Sequence, residues 1–179
     1  MAPMRYVDTG VLYCDDNLSR LQQFPDECVD LVYLDPPFFS NRNYEVIWGD
    51  EAEVRSFEDR WTGGMNVYVD WMEMRLREMH RLLRPSGCLY LHCDQAASHY
   101  LKVALDGIFG PQHFRSEIIW RRTGSNSAAR RYGPLHQAIF YYVKSKAAPF
   151  YPVYRPYSVG YVETTSAKLM SGGAIGRCS

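Results

Sequence analysis

An apolar run that ends abruptly in an acid, two prolines and an aromatic ring most constrains how this chain can fold. Residues 29–34 read Val-Asp-Leu-Val-Tyr-Leu, and they are followed by Asp35, Pro36, Pro37 and Phe38. A short run of β-branched, aliphatic and aromatic residues bounded by breakers predicts a strand, and near-continuous apolarity favours a parallel strand covered on both faces. Because ligands of open α/β sheets bind beyond the carboxyl ends of strands, residues 35–38 are expected at a functional site.

The four residues after this strand suit a planar ring that carries an exocyclic amine. Prolines bring no N–H and fix φ, so the acceptors beside them meet no competing local donor. The Asp35 carboxylate and the Pro36 carbonyl could accept both N–H bonds of the amine, which favours a pyramidal nitrogen with a free lone pair, and Phe38 could stack on the ring. An ordinary strand followed by a proline turn explains the tetrapeptide alone equally well.

The length and composition are those of one folded domain. The chain has 179 residues, of which 46% are hydrophobic, enough to form a core. It contains no run of about eighteen apolar residues and no signal-peptide pattern, so a cytoplasmic protein without a membrane segment is expected. The five cysteines include no C-x-x-C pair, which indicates neither a disulfide framework nor a metal site.

The other apolar patterns predict alternating strands and helices. Residues 11–14 are interpreted as a short strand that precedes a helix, and residues 67–83 place apolar side chains at helical spacing. Residues 88–93 read as a second buried strand, and residues 100–109 as the helix after it. Strands and helices in this order predict a parallel α/β sheet.

Acidic residues follow two of these predicted strands. Asp16 could accept hydrogen bonds from a ribose or an adenine amine, although a helix cap is the favoured role for this residue taken alone. Asp94 follows His92 and Cys93, and it is interpreted as a residue that supports the site or lies near a cofactor. Adjacent strand residues point to opposite faces, so His92 and Cys93 are not expected to bind one atom together.

The connection between the first strand and the long helix is unusually aromatic. Residues 39–66 show no clear periodicity, and long connections without secondary structure are usually functional lids or disordered. The aromatic residues argue against disorder, and they are Phe39, Tyr44, Trp48, Phe57 and Trp61. We interpret this connection as a lid that closes over a bound base.

Positive charge is concentrated in the last third of the chain. Residues 1–114 carry 10 Lys and Arg against 18 Asp and Glu, a net charge of −8, whereas residues 115–179 carry 10 against 2, a net charge of +8. The basic part is the predicted face for a polyanion. This asymmetry is hidden by a formal net charge of zero for the whole chain.

Two predicted strands of this basic part frame a polar loop. Residues 116–122 and 135–143 read as the strands of a hairpin. The arginines form two pairs, Arg121 with Arg122 and Arg130 with Arg131. Basic pairs interleaved with aromatic residues suit phosphate and base contacts in a nucleic acid, whereas a solvated hairpin edge protected by charge would show the same pattern.

Five blocks together resemble the DNA amino-methyltransferases of restriction–modification systems. In chain order they are residues 13–18, 30–38, 80–87, 89–94 and 118–122. The position of the Asp-Pro-Pro-aromatic block near the N-terminus is similar to the permuted β-type arrangement of that family. The resemblance extends over roughly residues 11–157.

This resemblance implies a fold and a division of the chain. The expected fold is α/β, with part of the Rossmann-like sheet of S-adenosylmethionine-dependent methyltransferases and a basic β-hairpin that extends it toward target recognition. Residues 1–114 would form the catalytic half, residues 115–163 the last sheet strands and the start of a basic DNA-recognition region, and residues 164–179 an atypical, disordered tail.

The resemblance also implies a reaction. S-adenosylmethionine would donate a methyl group to the exocyclic amine of a flipped adenine, or in second place cytosine, in double-stranded DNA, with a cognate restriction endonuclease as a further partner. The residues that would hold the amine are Asp35, Pro36, Pro37 and Phe38. Asp16 and Asp35 would lie near the cofactor. The DNA contacts would come from Arg121, Arg122, Arg130 and Arg131. No metal is implied.

One departure from the family concerns the cofactor. Members continue to a Phe-x-Gly-x-Gly block that binds the methionine end of the cofactor, and residues 171–176 only imitate it, without a strand before and a helix after. We therefore expect a C-terminally truncated member. Two alternatives stay open, a non-catalytic nucleic-acid-binding remnant and a methyltransferase that acts on RNA or on a protein amide.

Overall fold

The computed structural model divides the chain into two compact units, Met1–Pro149 and Phe150–Ser179. It describes residues 7–39, 43–48, 53–58, 61–122 and 135–154. The described residues of the second unit, 150–154, form neither a helix nor a strand and are exposed. The predicted domain limits at residues 114 and 163 stay predictions.

The secondary structure of the described ranges combines helices with strands. In chain order it consists of α1 (Asn17–Leu21), β1 (Val29–Leu34), β2 (Asn43–Trp48), β3 (Glu53–Glu58), α2 (Met65–Leu82), β4 (Leu83–Cys93), α3 (Gln95–Phe109), a 3-10 turn (Pro111–His113), β5 (Phe114–Arg121) and β6 (His136–Val143). The α/β fold class predicted from the sequence is therefore confirmed.

The main sheet is mixed, which corrects the expectation of a parallel sheet. Its strand order is β1-β4-β6-β5. β1 runs parallel to β4, and β6 runs antiparallel to both β4 and β5. The carboxyl ends of β1, β4 and β5 and the amino end of β6 consequently meet at one edge, called the site edge below. The predicted hairpin of the basic part is the β5–β6 pair, whose adjacent strands need no helical crossover.

Helices α2 and α3 cover one face of this sheet and form its core. Apolar side chains of α2 recur at helical spacing, so that Met72 and Leu76 are fully buried, as the pattern predicts. They pack with Leu89 and Leu91 of β4 and with Tyr142 of β6. The result is a rigid support beneath the strands that end at the site edge.

β1 is buried on one face only, contrary to the sequence prediction. Val32 and Leu34 pack against the helical core, but Leu31 and Tyr33 on the opposite face are 54% and 57% exposed. β1 is an edge strand, and in the described part of the chain β4 is its only partner. Continuous apolarity therefore overstates the burial of this strand.

The interpretation of residues 11–14 as a strand is wrong. These residues are extended coil, and Leu12 is 92% exposed. A strand requires a neighbouring backbone for its hydrogen bonds, and no strand in the described ranges pairs with this run. Apolar composition alone consequently gave a false signal here.

The long connection after β1 also differs from its prediction as a segment without secondary structure. It contains β2 and β3, which form a separate antiparallel pair with Asn43 opposite Glu58 and Trp48 opposite Glu53. Their sequences, Asn-Tyr-Glu-Val-Ile-Trp and Glu-Val-Arg-Ser-Phe-Glu, do not alternate strictly between polar and apolar residues, so the pattern of a strand did not stand out. The role of this connection as a lid stays a prediction.

A charged cluster joins α3 to β6 away from the site edge. The two carboxylate oxygens of Asp106 accept hydrogen bonds from Lys102 Nζ at 2.8 and 2.7 Å, and one of them also accepts from the Tyr142 hydroxyl at 2.7 Å. Desolvation raises the pKa of Asp106, but the hydrogen bonds from Lys102 and Tyr142 outweigh it and the pKa lies below its ordinary value.

Asp106→Asn is expected to lower the free energy of unfolding at neutral pH by about 2 kcal/mol, since it removes hydrogen bonds to a charged group. The pKa of Asp106 in the folded state is below its ordinary value of 3.8 in the unfolded state. This stabilisation is therefore fully present above pH 3.8 and is lost as the pH falls through the folded-state pKa. Urea unfolding near pH 7 and near pH 3 should show the difference between wild type and variant shrinking in acid. If wild type and variant differed by the same free energy of unfolding at both pH values, the stabilisation would not come from the ionised Asp106 carboxylate.

Candidate active site

The Asp-Pro-Pro-Phe segment, residues 35–38, lies at the site edge directly after β1. Leu34 is the register partner of Leu91, so Asp35 emerges beside the last residues of β4. There Asp35 Oδ1 lies 3.2 Å from His92 Nδ1. The Asp35 side chain is 60% exposed, whereas that of His92 is 14% exposed. The acid is thus held on one side and open to a ligand on the other.

The proline part of the segment is fastened to the core. Pro36 is buried, and the carbonyl of Pro37 accepts a hydrogen bond of 3.0 Å from the Tyr68 hydroxyl. Tyr68 belongs to α2, is fully buried and contacts Trp61 edge to face at 4.9 Å between ring centroids. The carbonyl that Tyr68 engages is that of Pro37, and not the Pro36 carbonyl predicted to accept an amine.

Phe38 completes the segment next to the same histidine. Its ring is half-buried and meets the His92 ring edge to face, with centroids 5.3 Å apart and planes at 79°. This is a preferred geometry for aromatic pairs. The structure therefore brings Asp35, Phe38 and His92 together, and stacking of Phe38 on a base stays a prediction.

His92 and Gln137 were missed as site residues from the sequence. His92 Nε2 lies 2.9 Å from Gln137 Oε1, so a line of polar contacts runs from β6 through β4 to Asp35. The only available signal was the position of His92 one residue before the end of β4. Its neighbourhood depends on strand register, which no local pattern in this sequence fixes.

Cys93 lies on the opposite face of β4, as the alternation of strand residues predicts. It is fully buried, and its Sγ lies 3.7 Å from the Ala138 carbonyl oxygen. Burial raises the pKa of the Cys93 thiol to about 12, which keeps it protonated and unreactive. The prediction that His92 and Cys93 do not act on one atom is confirmed.

Residues around this segment match a known family. A family model described as DNA methylase matches residues 29–172, which includes β1, the Asp-Pro-Pro-Phe segment and β4. The chain belongs to the DNA methylase family. The resemblance found in the sequence blocks is thereby confirmed.

Curated relatives of this chain are longer proteins. The chain is 29% identical over 153 residues to the type II methyltransferase M.BamHI of Bacillus amyloliquefaciens, a match that covers 86% of this chain and 33% of the relative. It is 24% identical over 130 residues to the DNA adenine methyltransferase YhdJ of Escherichia coli, which covers 72% of this chain and 39% of the relative. The chain spans about a third of the length of these relatives.

A solved structure shows the same fold. The PvuII DNA methyltransferase, described as cytosine-N4-specific, superposes with a TM-score of 0.55 at 16% identity, over 76% of this chain and 49% of the other. At this identity the likeness concerns the fold alone. It confirms that the mixed sheet with its covering helices is the α/β sheet of a methyltransferase fold.

Asp16 caps α1. Its Oδ1 accepts the backbone N–H of Ser19 at 3.1 Å, and its Oδ2 accepts from Arg75 at 2.7 Å. The Ser19 backbone hydrogen bond, followed by the bond and charge of Arg75, outweighs desolvation and lowers the pKa of the carboxyl. The predicted cap is therefore observed, while 52% of the Asp16 side chain remains exposed.

Arg75 is a third residue that the sequence did not single out. Its side chain is 5% exposed, and its guanidinium lies 3.6 Å from the centre of the Trp71 ring. Its Nε also donates to Asn17 Oδ1 at 2.8 Å. Arg75 thus fixes Asp16 and the start of α1 against α2, and a basic residue on the otherwise polar side of a helix gave no sign of this role.

The two arginines at the carboxyl end of β5 reach beyond the site edge. Glu117 lies in the same sheet row as Leu34, through Leu91 and Phe140. Arg121 is four residues further along, which places it about 13 Å past that row. Arg121 and Arg122 are both exposed. Arg130 and Arg131 lie outside the described residues, as does the glycine-rich stretch 171–176.

Asp94 has a structural role in the described residues. It is the N-cap of α3, with its Oδ1 accepting the backbone N–H of Ala97 at 3.0 Å, and this cap begins α3 five residues before the predicted start. Within the described ranges no three His, Cys, Asp or Glu side chains are arranged to bind a metal ion. The same ranges hold no helix that is both long and apolar enough to cross a membrane.

Proposed function

We propose that this DNA methylase chain binds and methylates the exocyclic amine of a flipped adenine in double-stranded DNA, with cytosine N4 as the second candidate target. The observation that carries the proposal is the half-open Asp35 carboxylate, which lies beside Phe38 at the site edge. The name of one relative, the DNA adenine methyltransferase YhdJ, supports adenine as the first target.

Asp35 can activate the amine through hydrogen bonding. The lone pair of an adenine amine is delocalised into its ring, and accepting both N–H bonds at Asp35 and the Pro36 carbonyl frees it for attack. The negative charge of Asp35 also stabilises the positive charge that develops on the nitrogen as it gains a methyl group. The same carboxylate can accept the proton that the methylated nitrogen then releases. Because the methyl group passes directly from the sulfonium to the amine, no covalent enzyme intermediate is required.

Phe38 and the basic hairpin would bind the extruded base and the DNA phosphates. Extruding a base from the duplex costs a few kcal/mol, which is recovered partly by stacking on an aromatic ring such as Phe38. The exposed Arg121 and Arg122 suit phosphate contacts beyond the site edge, and Arg130 and Arg131 are assigned the same role. Contact to phosphates would make binding strongly dependent on salt.

Asp16 and Asp35 fit the cofactor that the family implies. S-adenosylmethionine, when bound, supplies the methyl group from its sulfonium. A carboxylate offers about four acceptor sites. The Asp16 side chain already accepts from Ser19 and Arg75 but is 52% exposed, so it can also accept from a ribose hydroxyl or an adenine amine. The lowered pKa of Asp16 keeps it an acceptor at neutral pH.

Methyl transfer tests this proposal directly. The purified chain should transfer tritium from methyl-labelled S-adenosylmethionine to unmethylated double-stranded DNA, and the Asp35→Ala variant should not. Parallel reactions with RNA and with protein as substrates test the alternatives that the chain methylates RNA or a protein amide. If the wild-type chain transfers no methyl group to DNA, the proposal that this chain is an active DNA methyltransferase is wrong.

The charge distribution favours a second candidate, a nucleic-acid-binding chain without catalysis. Its motivation is the net charge of +8 in residues 115–179. Calorimetry separates the two candidates, because the second predicts salt-sensitive DNA binding without cofactor binding. We assign a cytoplasmic location and a cognate restriction endonuclease to the first candidate, because the resemblance to restriction–modification enzymes implies both.

A further inference from the structure

We propose that His92 is the positioning residue of this site, which holds one oxygen of Asp35 so that the other faces the base amine. The contacts of His92 with Asp35 and Phe38 are properties of the fold. Only the identity of the ligand that Asp35 receives rests on the proposed function.

The close approach of Asp35 Oδ1 to His92 Nδ1, at 3.2 Å, indicates where the ring carries its proton. An ionised carboxylate has only acceptors, so a proton on Nδ1 makes this contact attractive, whereas an unprotonated Nδ1 would turn its lone pair toward the carboxylate. Hydrogen bonds to an ionised acceptor are among the stronger ones in proteins. His92 is therefore the donor, and Asp35 Oδ2 is left for a ligand.

The histidine is the fixed member of the pair. Its side chain is 14% exposed and that of Asp35 is 60% exposed, so packing restrains the ring far more than the acid. Phe38 also meets the ring edge to face. One side chain of β4 consequently orients both the acid and the aromatic residue of the Asp-Pro-Pro-Phe segment.

Gln137 holds the far side of the ring. Its side-chain amide faces His92 Nε2 at 2.9 Å, and the residue is 7% exposed on β6. An amide offers either an oxygen or an NH₂ group, so Gln137 can accept from a protonated Nε2 or donate to an unprotonated one. The ring is thereby oriented by two neighbouring strands, whichever charge it carries.

The hydrogen-bond direction can be measured without any reaction. Proton–nitrogen correlation spectra of the imidazole rings should show the His92 proton on Nδ1, with the resonance assigned by its loss in His92→Asn. In Asp35→Ala the His92 proton should move toward Nε2, while the exposed His99 on α3 should not respond. A wild-type His92 ring that carries its proton on Nε2 and none on Nδ1, or no response to Asp35→Ala, would overturn the proposal.

The kinetic consequence separates positioning from folding. Displacing a reacting group by about 1 Å can cost about 100-fold in rate, so His92→Leu should lower kcat by about 10- to 100-fold with little change in KM for DNA. His92→Asn should restore most of the rate, because an Asn side-chain NH₂ can take the place of Nδ1–H. His99→Leu is the matched control and should retain the wild-type kcat.

These outcomes distinguish the inference from the proposed function. If the wild-type chain transfers no methyl group, the proton position on His92 alone decides whether the contact with Asp35 exists. If transfer occurs and His92→Leu matches the wild type, or His92→Asn is as impaired as His92→Leu, the positioning role is wrong while the methyltransferase function stands.

Discussion

Replacing Asp35 with Asn lowers kcat for methyl transfer by about 100- to 1,000-fold, the size of effect expected when one preorganised electrostatic partner of a reacting centre is removed. The amide keeps the shape of the carboxylate but loses the charge that stabilises the developing cation. Its NH₂ group can also face the donors of the substrate amine. Because the Asp35 side chain is 60% exposed, folding should be little affected.

Asp30→Asn is the matched control for this experiment. Asp30 is also an acid of β1, with a side chain 72% exposed, and it pairs with Arg84 at 2.7 Å away from the site edge. Single-turnover rates at saturating cofactor should show the loss for Asp35→Asn only. Retention of more than a third of the wild-type rate by Asp35→Asn would contradict an electrostatic role for this carboxylate.

Replacing Tyr68 with Ala has the largest expected effect on stability. Tyr68 is fully buried and lies among Phe39, Trp61 and Trp71. Removing a buried aromatic ring of this kind lowers the free energy of unfolding by about 3 to 5 kcal/mol, through lost transfer energy and a residual cavity. Urea unfolding measures this loss, and a change within about 1 kcal/mol would show that the site is not closely packed.

Tyr68→Phe isolates the hydroxyl that holds the Pro37 carbonyl. The ring packing is kept, so the expected destabilisation is only about 1 kcal/mol, the usual contribution of one hydrogen bond. The rate of methyl transfer should nevertheless fall, because the backbone after Pro36 is less restrained. Tyr100→Phe, on the exposed side of α3, is the control and should change neither quantity.

Local patterns were sufficient where the structure is local. The breakers at Pro36 and Pro37 end β1 as predicted, which places Asp35 at a carboxyl strand end. The apolar spacing in α2 correctly gave its buried face. The cap formed by Asp16 also followed from residue type, since a short acceptor before a helix can bind its first free N–H groups.

Contacts between distant parts of the chain were not predictable in the same way. His92 lies beside Asp35 only because Leu34 pairs with Leu91, and this register is set by the packed sheet as a whole. Tyr68 reaches Pro37 across 31 positions of sequence. The strand prediction for residues 11–14 was wrong for a related reason, since apolar residues form a strand only where a partner strand is available.

The chemical identity of the methylated nucleoside tests the central claim most directly. DNA treated with the chain and S-adenosylmethionine is digested to nucleosides, which are separated and identified by mass spectrometry. The expected product is N6-methyladenine, or N4-methylcytosine for the second target, and Asp35→Asn should form about 100- to 1,000-fold less of it in the same time. Methylation at a ring carbon such as C5 of cytosine, or no methylated nucleoside at all, would contradict an amine-binding role for Asp35.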